Sequence, residues 1–169
     1  MEVKLKIKTN KSEYNSKTVI LALGRRGSPR KLGVPGESKS KVVYRLVDPS
    51  QYINQSVLVV GGGDSALEAA CSIAEEMGTN VAISYRKDNF SRAKLKSQQR
   101  IESLQNKNML SVYFSSQVKA IDKQSVLIQS GNETIEIEND AVIVCAGGIL
   151  PTGLLKSIGV TVETKYGTE

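Results

Sequence analysis

Between residues 57 and 85 the apolar positions change period twice. Val57-Leu58-Val59-Val60 is an unbroken apolar run, the pattern of a parallel strand buried on both faces. Leu67, Ala70, Cys71 and Ala74 then recur at i, i+3, i+4 and i+7, which marks one face of a helix, and Gly78 stands where a C-terminal cap belongs. Val81-Ala82-Ile83-Ser84-Tyr85 reads as a second strand. Strand, helix and strand within about 30 residues make a βαβ unit. The same reading predicts a helix over 93–105 and a strand over 110–114 that continue the parallel sheet. Val126-Leu127-Ile128 and Thr134-Ile135-Glu136-Ile137 flank Ser130-Gly131-Asn132, the pattern of a hairpin. Ala141 to Cys145 is another buried strand, and it runs into Gly147-Gly148 and Pro151. At the start, Lys4, Lys6 and Lys8 alternate with Val3, Leu5 and Ile7, which reads as an edge strand with one wet face. The predicted class is α/β, a Rossmann-like βαβ domain with a β-hairpin or meander extension.

The turn inside the βαβ unit carries most of the chemical information. Gly61-Gly62-Gly63-Asp64-Ser65-Ala66 joins the first strand to the helix, in the form of a dinucleotide pyrophosphate cradle. Gly61 permits a tight turn, Gly63 keeps a side chain out from between backbone and phosphate, and Ala66 lets the helix pack close to the strand. Backbone amides of Gly61 to Ser65, at the positive end of the helix, would hold the diphosphate.

The end of the second strand selects the nucleotide. A carboxylate there would accept the ribose hydroxyls of NAD or FAD, and none is present. The strand ends in Tyr85-Arg86-Lys87, with Arg92 further along. A 2′-phosphate carries close to two negative charges and calls for guanidinium and ammonium groups, so NADP(H) is preferred. Arg86, Lys87 and Arg92 are the candidate partners of that phosphate, and Tyr85 a candidate cover for the adenine. Two other readings stay open: Arg86 and Lys87 as plain solvated loop charges, and a glycine turn that holds FAD itself.

Composition narrows the remaining classes. The 169 residues, 40% of them hydrophobic, suffice for one compact domain and a little more. No apolar run approaches the about 20 residues of a membrane span, and the N-terminus lacks a secretory apolar stretch. A cytoplasmic address without membrane partners is expected. There is no histidine, and the two cysteines are far apart, which argues against metal-site and triad chemistry. Cys71 and Cys145 read as reduced core residues. A net charge of +6 invites a nucleic-acid reading, but the 5% aromatic residues do not interleave with the basic positions as base stacking requires. Nucleic acid is not an expected partner. No residue qualifies as a catalytic acid or base, and none as a metal ligand. Hydride chemistry is compatible with this, because the cofactor carries the reaction and the protein supplies position and field.

Four stretches together resemble the two-domain pyridine-nucleotide flavoproteins of the thioredoxin-reductase-like type. Thr18 to Gly24 followed by Pro29 to Glu37 is similar to that family's crossing from its flavin domain into its NADPH domain. Gly61 to Ala70 resembles its NADPH glycine motif, and Arg86 to Ala93 its 2′-phosphate loop with one residue inserted before Arg92. Asp140 to Thr152 resembles the strand and turn returning to the flavin domain, where Gly147 would allow close approach of the nucleotide. The resemblance has three gaps. The family's Cys-x-x-Cys pair is replaced by Val42 to Pro49, which excludes dithiol chemistry by that route. The flavin domain's own glycine motif and its closing Gly-Asp motif are also missing.

The resemblance implies residues 1–36 as the end or remnant of a flavin-domain half, 37–150 as the NAD(P)H-binding domain and 151–169 as the return segment; the turn residues from Gly33 to Lys41 mark the expected hinge. It implies NADPH as ligand and FAD in the complete enzyme, FAD not being held by this chain alone. A missing FAD-binding region or a second chain, an electron-acceptor protein and a homodimer are the implied partners. The function so implied is hydride passage from NADPH to FAD and on to an acceptor; the alternative is a stand-alone, non-catalytic NADP(H)-binding module.

Overall fold

The computed structural model describes residues 5–22 and 28–163. Val3, Lys4 and the crossover residues 23–27, on which part of the sequence reading rested, lie outside them. The chain divides into two compact units, one formed by residues 1–28 and 150–169 and the other by residues 29–149.

In the smaller unit, β1 (Leu5–Lys8) and β2 (Glu13–Ser16) form an antiparallel hairpin with Leu5 opposite Ser16 and Lys8 opposite Glu13. Its turn is closed by Thr9, whose Oγ1 accepts the N–H groups of Lys11 and Ser12. Lys6 and Lys8 are exposed and Ile7 is half-buried, in line with the alternation, but Leu5 is exposed as well. The helix α3 (Thr152–Ser157) belongs to this unit as well. Ile20 is 92% exposed, and Val19, Leu21, Leu154 and Ile158 are exposed too. Short strands β3 (Ser28–Pro29) and β12 (Gly148–Ile149) occur where the chain enters and leaves the larger unit.

The larger unit is built in three layers around a parallel sheet. Its strands are β4 (Val42–Val43), β5 (Ser56–Val60), β6 (Asn80–Ser84), β7 (Leu110–Tyr113) and β11 (Ala141–Val144), in the spatial order β4-β11-β5-β6-β7. All pairings in it are parallel. Helices α1 (Asp64–Ala74) and α2 (Leu95–Asn106) supply the second layer. The third is an antiparallel sheet of β8 (Ser116–Ile121), β9 (Ser125–Ser130) and β10 (Glu133–Glu138), in which Gly131 and Asn132 form the predicted hairpin turn.

Alternation along the parallel strands divides the core in two. Val57, Val59, Val81, Ile83 and Ile143 pack with Leu67, Ala70, Cys71 and Ile73 of α1. Leu58, Ala82, Val142 and Val144 face the other way and pack with Val118, Ile121, Val126 and Ile128. Both faces of the sheet are covered, which is why its strands read as continuous apolar runs. A fully buried side chain such as Leu58 (0% exposed) stabilises the fold by about 1.5–3 kcal/mol relative to an exposed one.

Three local expectations change. The helix ends at Ala74 with Glu75 as its C-cap, so Gly78 is not the cap. Gly78 has φ +69 in the following turn, where a Cβ would stand 2.1 Å from Asn54 Oδ1, and the last carbonyls of the helix region are met by Thr79 Oγ1, which donates to Ile73 O and Glu76 O. The turn-rich stretch expected as a hinge is tied down: Glu37 accepts the N–H groups of Leu32 and Gly33 and the Tyr44 hydroxyl, and Ile121 N–H donates to Pro35 O. The larger compact unit begins at Pro29. Strands β2, β3, β4, β8 and β12 are additions to the strands read from the sequence.

Candidate functional site

Register places the predicted ligand residues at one edge of the parallel sheet. Val60 lies opposite Ser84 on one side and opposite Val144 on the other. Gly61–Gly63, Tyr85–Lys87 and Cys145–Gly147 therefore leave adjacent strands, roughly 4.8 Å apart, at their carboxyl ends. The strand order reverses between β5 and β11: from β5 the chain builds outward through β6 and β7, then returns to add β11 on the other side. Carboxyl ends at such a reversal are where open α/β sheets bind ligands.

The three glycines of the turn do three different jobs. Gly61 has φ +146, and a Cβ there would stand 2.5 Å from Cys145 O. A Cβ on Gly62 would fall 2.4 Å from the Tyr85 ring. Gly63, by contrast, has nothing within 4 Å of the place a Cβ would take. It is the N-cap of α1, with φ −102 and ψ 175. Gly61 N–H is used by Ser84 O, and Ala66 and Leu67 N–H return to Gly63 O. That leaves the N–H groups of Gly62, Gly63, Asp64 and Ser65 without acceptors among the described residues. An open surface of unpaired amides at the start of an 11-residue helix suits a diphosphate in shape and sign.

The flanking side chains complete the site. Arg86, Lys87 and Arg92 are all exposed, and none of their side chains has a hydrogen-bond or ion-pair partner among the described residues. The loop they decorate is ordered from within: Asn89 Oδ1 accepts Ser91 N–H, Ala93 N–H donates to Phe90 O, and Ser115 N–H donates to Lys87 O. Tyr85 is only 7% exposed. Its ring lies on Gly62 and stacks on Phe90 at 5.6 Å, and Phe90 in turn meets Phe114 at 4.8 Å. Tyr85 is thus a wall beneath the glycine turn. Gly147 has free space around it and accepts Arg30 N–H through its carbonyl. Ser65 is exposed, and its carbonyl faces the Cys145 thiol at 3.9 Å.

Asp64 behaves in a way its motif position did not signal. Its Oδ1 accepts Lys94 N–H at 2.8 Å and Ser97 Oγ at 3.0 Å, both at the start of α2. The Lys94 amide holds the Asp64 carboxyl below its ordinary range against a smaller opposing effect of burial, with further help from Ser97. Both thiols are shifted the other way, Cys71 up to about 11 and Cys145 upward, by burial. They remain protonated near neutrality and form no disulfide. A buried hydroxyl pair, Ser84 Oγ and Ser116 Oγ at 2.8 Å, fixes β8 to the end of β6.

A concavity of about 390 Å³ is bounded by Lys31, Glu37, Lys39, Val42 and Tyr44 and contains none of the glycine-turn residues. The unpaired amides and the three exposed cations suit the diphosphate and 2′-phosphate of NADP(H) in sign. Among the described residues no second glycine turn opens a helix of comparable length, so they offer no matching cradle for a flavin. No group of three or more metal-ligating side chains, and no helix long and apolar enough to cross a membrane, occurs among the described residues.

Comparison with known proteins agrees with this geometry. The model of the pyridine nucleotide-disulphide oxidoreductase family matches residues 2–168. A ferredoxin–NADP reductase of Ignicoccus hospitalis is 34% identical over 159 residues, covering 91% of this chain and 51% of that protein. Bacilliredoxin reductase Bdr of Bacillus subtilis is 30% identical over 163 residues, covering 95% and 50%. Among solved structures, the bacillithiol disulfide reductase Bdr of Staphylococcus aureus superposes with a TM-score of 0.87 at 28% identity, over 98% of this chain and 51% of that one. Thioredoxin reductase of Lactococcus lactis gives a TM-score of 0.79 at 28% identity, over 95% and 54%. The chain spans about half the length of the relatives it matches.

Proposed function

This chain belongs to the pyridine nucleotide-disulphide oxidoreductase family, and on that footing we propose that it is the NADPH-binding portion of a flavin-dependent oxidoreductase. One observation carries the reading: unpaired amides from Gly62 to Ser65 and the unpaired side chains of Arg86 and Lys87 directly follow neighbouring parallel strands, and the unpaired Arg92 side chain lies in the loop beyond them. The amides and the α1 dipole would hold the diphosphate. Arg86, Lys87 and Arg92 would pair with the 2′-phosphate, a task for which carboxylates are unsuited. Gly147 would let the nucleotide pass close to the backbone on the far side of the turn.

NADPH supplies the hydride, and the residues of this chain bind and orient it without acting as acid or base. The flavin of the complete enzyme, and the electron acceptor beyond it, are assigned to sequence outside the described residues or to a second chain. Exposed Val19, Ile20 and Leu21 are consistent with a covering partner for that stretch. The high thiol pKa values argue against a dithiol relay through Cys71 and Cys145.

A second reading, a stand-alone NADP(H)-binding module without turnover, is favoured by the lack of a second glycine-turn cradle among the described residues. Titration of the purified chain with NADPH, NADH and FAD, together with its visible spectrum and NADPH-dependent ferricyanide reduction, separates the two. NADPH binding much tighter than NADH supports both. Turnover that appears only on adding FAD or the flavin-binding partner supports the enzyme, whereas persistent inactivity supports the module. Equal affinity for the two nucleotides refutes the 2′-phosphate assignment.

A further inference from the structure

We infer that Asp64 is a positioning residue for 2′-phosphate selectivity, tying the start of α2, and with it Arg92, to the pyrophosphate turn. The inference rests on the NADPH reading above and adds a role that the glycine motif does not assign.

Asp64 is the first residue of α1, directly beside the unpaired amides. A carboxylate there adds a negative charge where a diphosphate would lie. Its side chain instead engages a different helix. Lys94, the N-cap of α2, has extended geometry with ψ 144 and makes no capping bond through its own side chain. In a capping box, a Glu or Gln at the third helical position reaches back to the N-cap amide. Here that position is Ser97, whose side chain is too short and brings a donor. Asp64 Oδ1 replaces the missing acceptor for both groups at once, taking Lys94 N–H and Ser97 Oγ.

The consequence falls unequally on the three cations. Arg86 and Lys87 directly follow β6, and their backbone is fixed through Tyr85 N–H to Tyr113 O, Ser116 N–H to Tyr85 O and Ser115 N–H to Lys87 O. Arg92 lies after the loop and two residues before Lys94. It is held by buried Phe90 and Ala93, with Ala93 N–H donating to Phe90 O and Gln98 Nε2 donating to Ala93 O, and by the Asp64–Lys94 bond just beyond. Loss of the Asp64 acceptor therefore removes one of the bonds that fix Arg92 and none of those that fix Arg86 and Lys87. Both bonds use the same oxygen, so Asp64→Asn, with its amide oxygen in that position, retains the anchor while removing the charge.

The test measures Kd for NADPH and NADH, and exchange of the Lys94 amide, in wild type, Asp64→Ala, Asp64→Asn, Ser97→Ala, Arg92→Ala and the double variant Asp64→Ala/Arg92→Ala. Loss of a helix cap predicts about a fivefold drop in the NADPH-to-NADH preference for Asp64→Ala. The Kd for NADH should not rise, and Lys94 should exchange faster. Asp64→Asn should keep the preference and bind both nucleotides more tightly, Ser97→Ala should show a smaller drop, and Asp64→Ala should have no further effect on the preference once Arg92 is gone. If Asp64→Ala fails to fold, Ser97→Ala and Asp64→Asn still decide. The inference is overturned if the preference is unchanged in Asp64→Ala, or if Ser97→Ala leaves it intact where Asp64→Ala does not fold. It is equally overturned if both nucleotides weaken alike or if Asp64→Asn behaves like Ala. Wild-type protein without NADPH preference refutes the nucleotide reading itself, and selectivity with it; faster Lys94 exchange in Asp64→Ala would then show the anchor surviving as a purely structural contact.

Discussion

Alanine at Gly62 and at Gly63 should have opposite effects, although the two residues are neighbours in one motif. At Gly63 the added Cβ meets open space and φ is −102, so the folded state tolerates it without strain. Alanine is a poorer N-cap than glycine by about 0.5 kcal/mol, while reduced freedom of the unfolded chain returns about 0.4–1 kcal/mol, leaving stability near that of wild type. The methyl group occupies the space a phosphate must enter, and loss of one amide bond to a charged group costs about 1.5–3 kcal/mol, or roughly 10- to 150-fold in affinity for NADPH and NADH alike. At Gly62 the Cβ would lie 2.4 Å from the Tyr85 ring, which is itself pinned by Phe90. Overpacking of this kind costs about 1–3 kcal/mol, a drop of several degrees in melting temperature. Thermal unfolding paired with isothermal titration distinguishes the two. A Gly63→Ala protein that melts like wild type and binds nucleotide equally well would refute the assignment of the phosphate to this turn.

Three further outcomes follow from the same structure. Arg86→Ala combined with Lys87→Ala should weaken NADPH by about 2–4 kcal/mol and leave NADH nearly unchanged, as read by titration. Leu58→Ala, which empties a fully buried position between the parallel sheet and the β8–β10 layer, should cost about 2–5 kcal/mol in a denaturant titration. Asp64 is held below its ordinary pKa chiefly by Lys94 N–H. At Glu37, burial pushes the carboxyl up but the Leu32 and Gly33 amides and the Tyr44 hydroxyl outweigh it. A depressed carboxyl adds stability above its unfolded pKa of about 4 and loses it as pH falls through the folded value, so the denaturation midpoint should be flat with respect to these two groups from pH 6 to 8 and decline below about pH 4. Substituting both, as Asp64→Asn with Glu37→Gln, should flatten the acid limb.

The elements with strong local signals were legible. Val57–Val60 and Ala141–Val144 are buried on both faces, and continuous apolar runs report that directly. The glycine turn and the Gly131–Asn132 hairpin carry their own turn chemistry. Strand β8 was hidden by a bulge between Val118 and Ala120, which puts buried Val118 and Ile121 three residues apart and breaks the period of two. Strand β4 is two residues long, too short to show a period, and exists because it pairs with β11 a hundred positions later. At the site, the residue types and their order along the chain were readable. The burial of Tyr85 and the bonds from Asp64 to α2 are long-range contacts, and neither leaves a trace in local spacing.

Arg30 N–H and Gly147 O meet at 3.0 Å, so the larger unit opens and closes at one doorway. A module whose two ends touch can be spliced into a host loop, or lifted out of it, without stretching either. The larger unit is thus closed at its base, and such a transfer would leave its strand order and glycine turn intact.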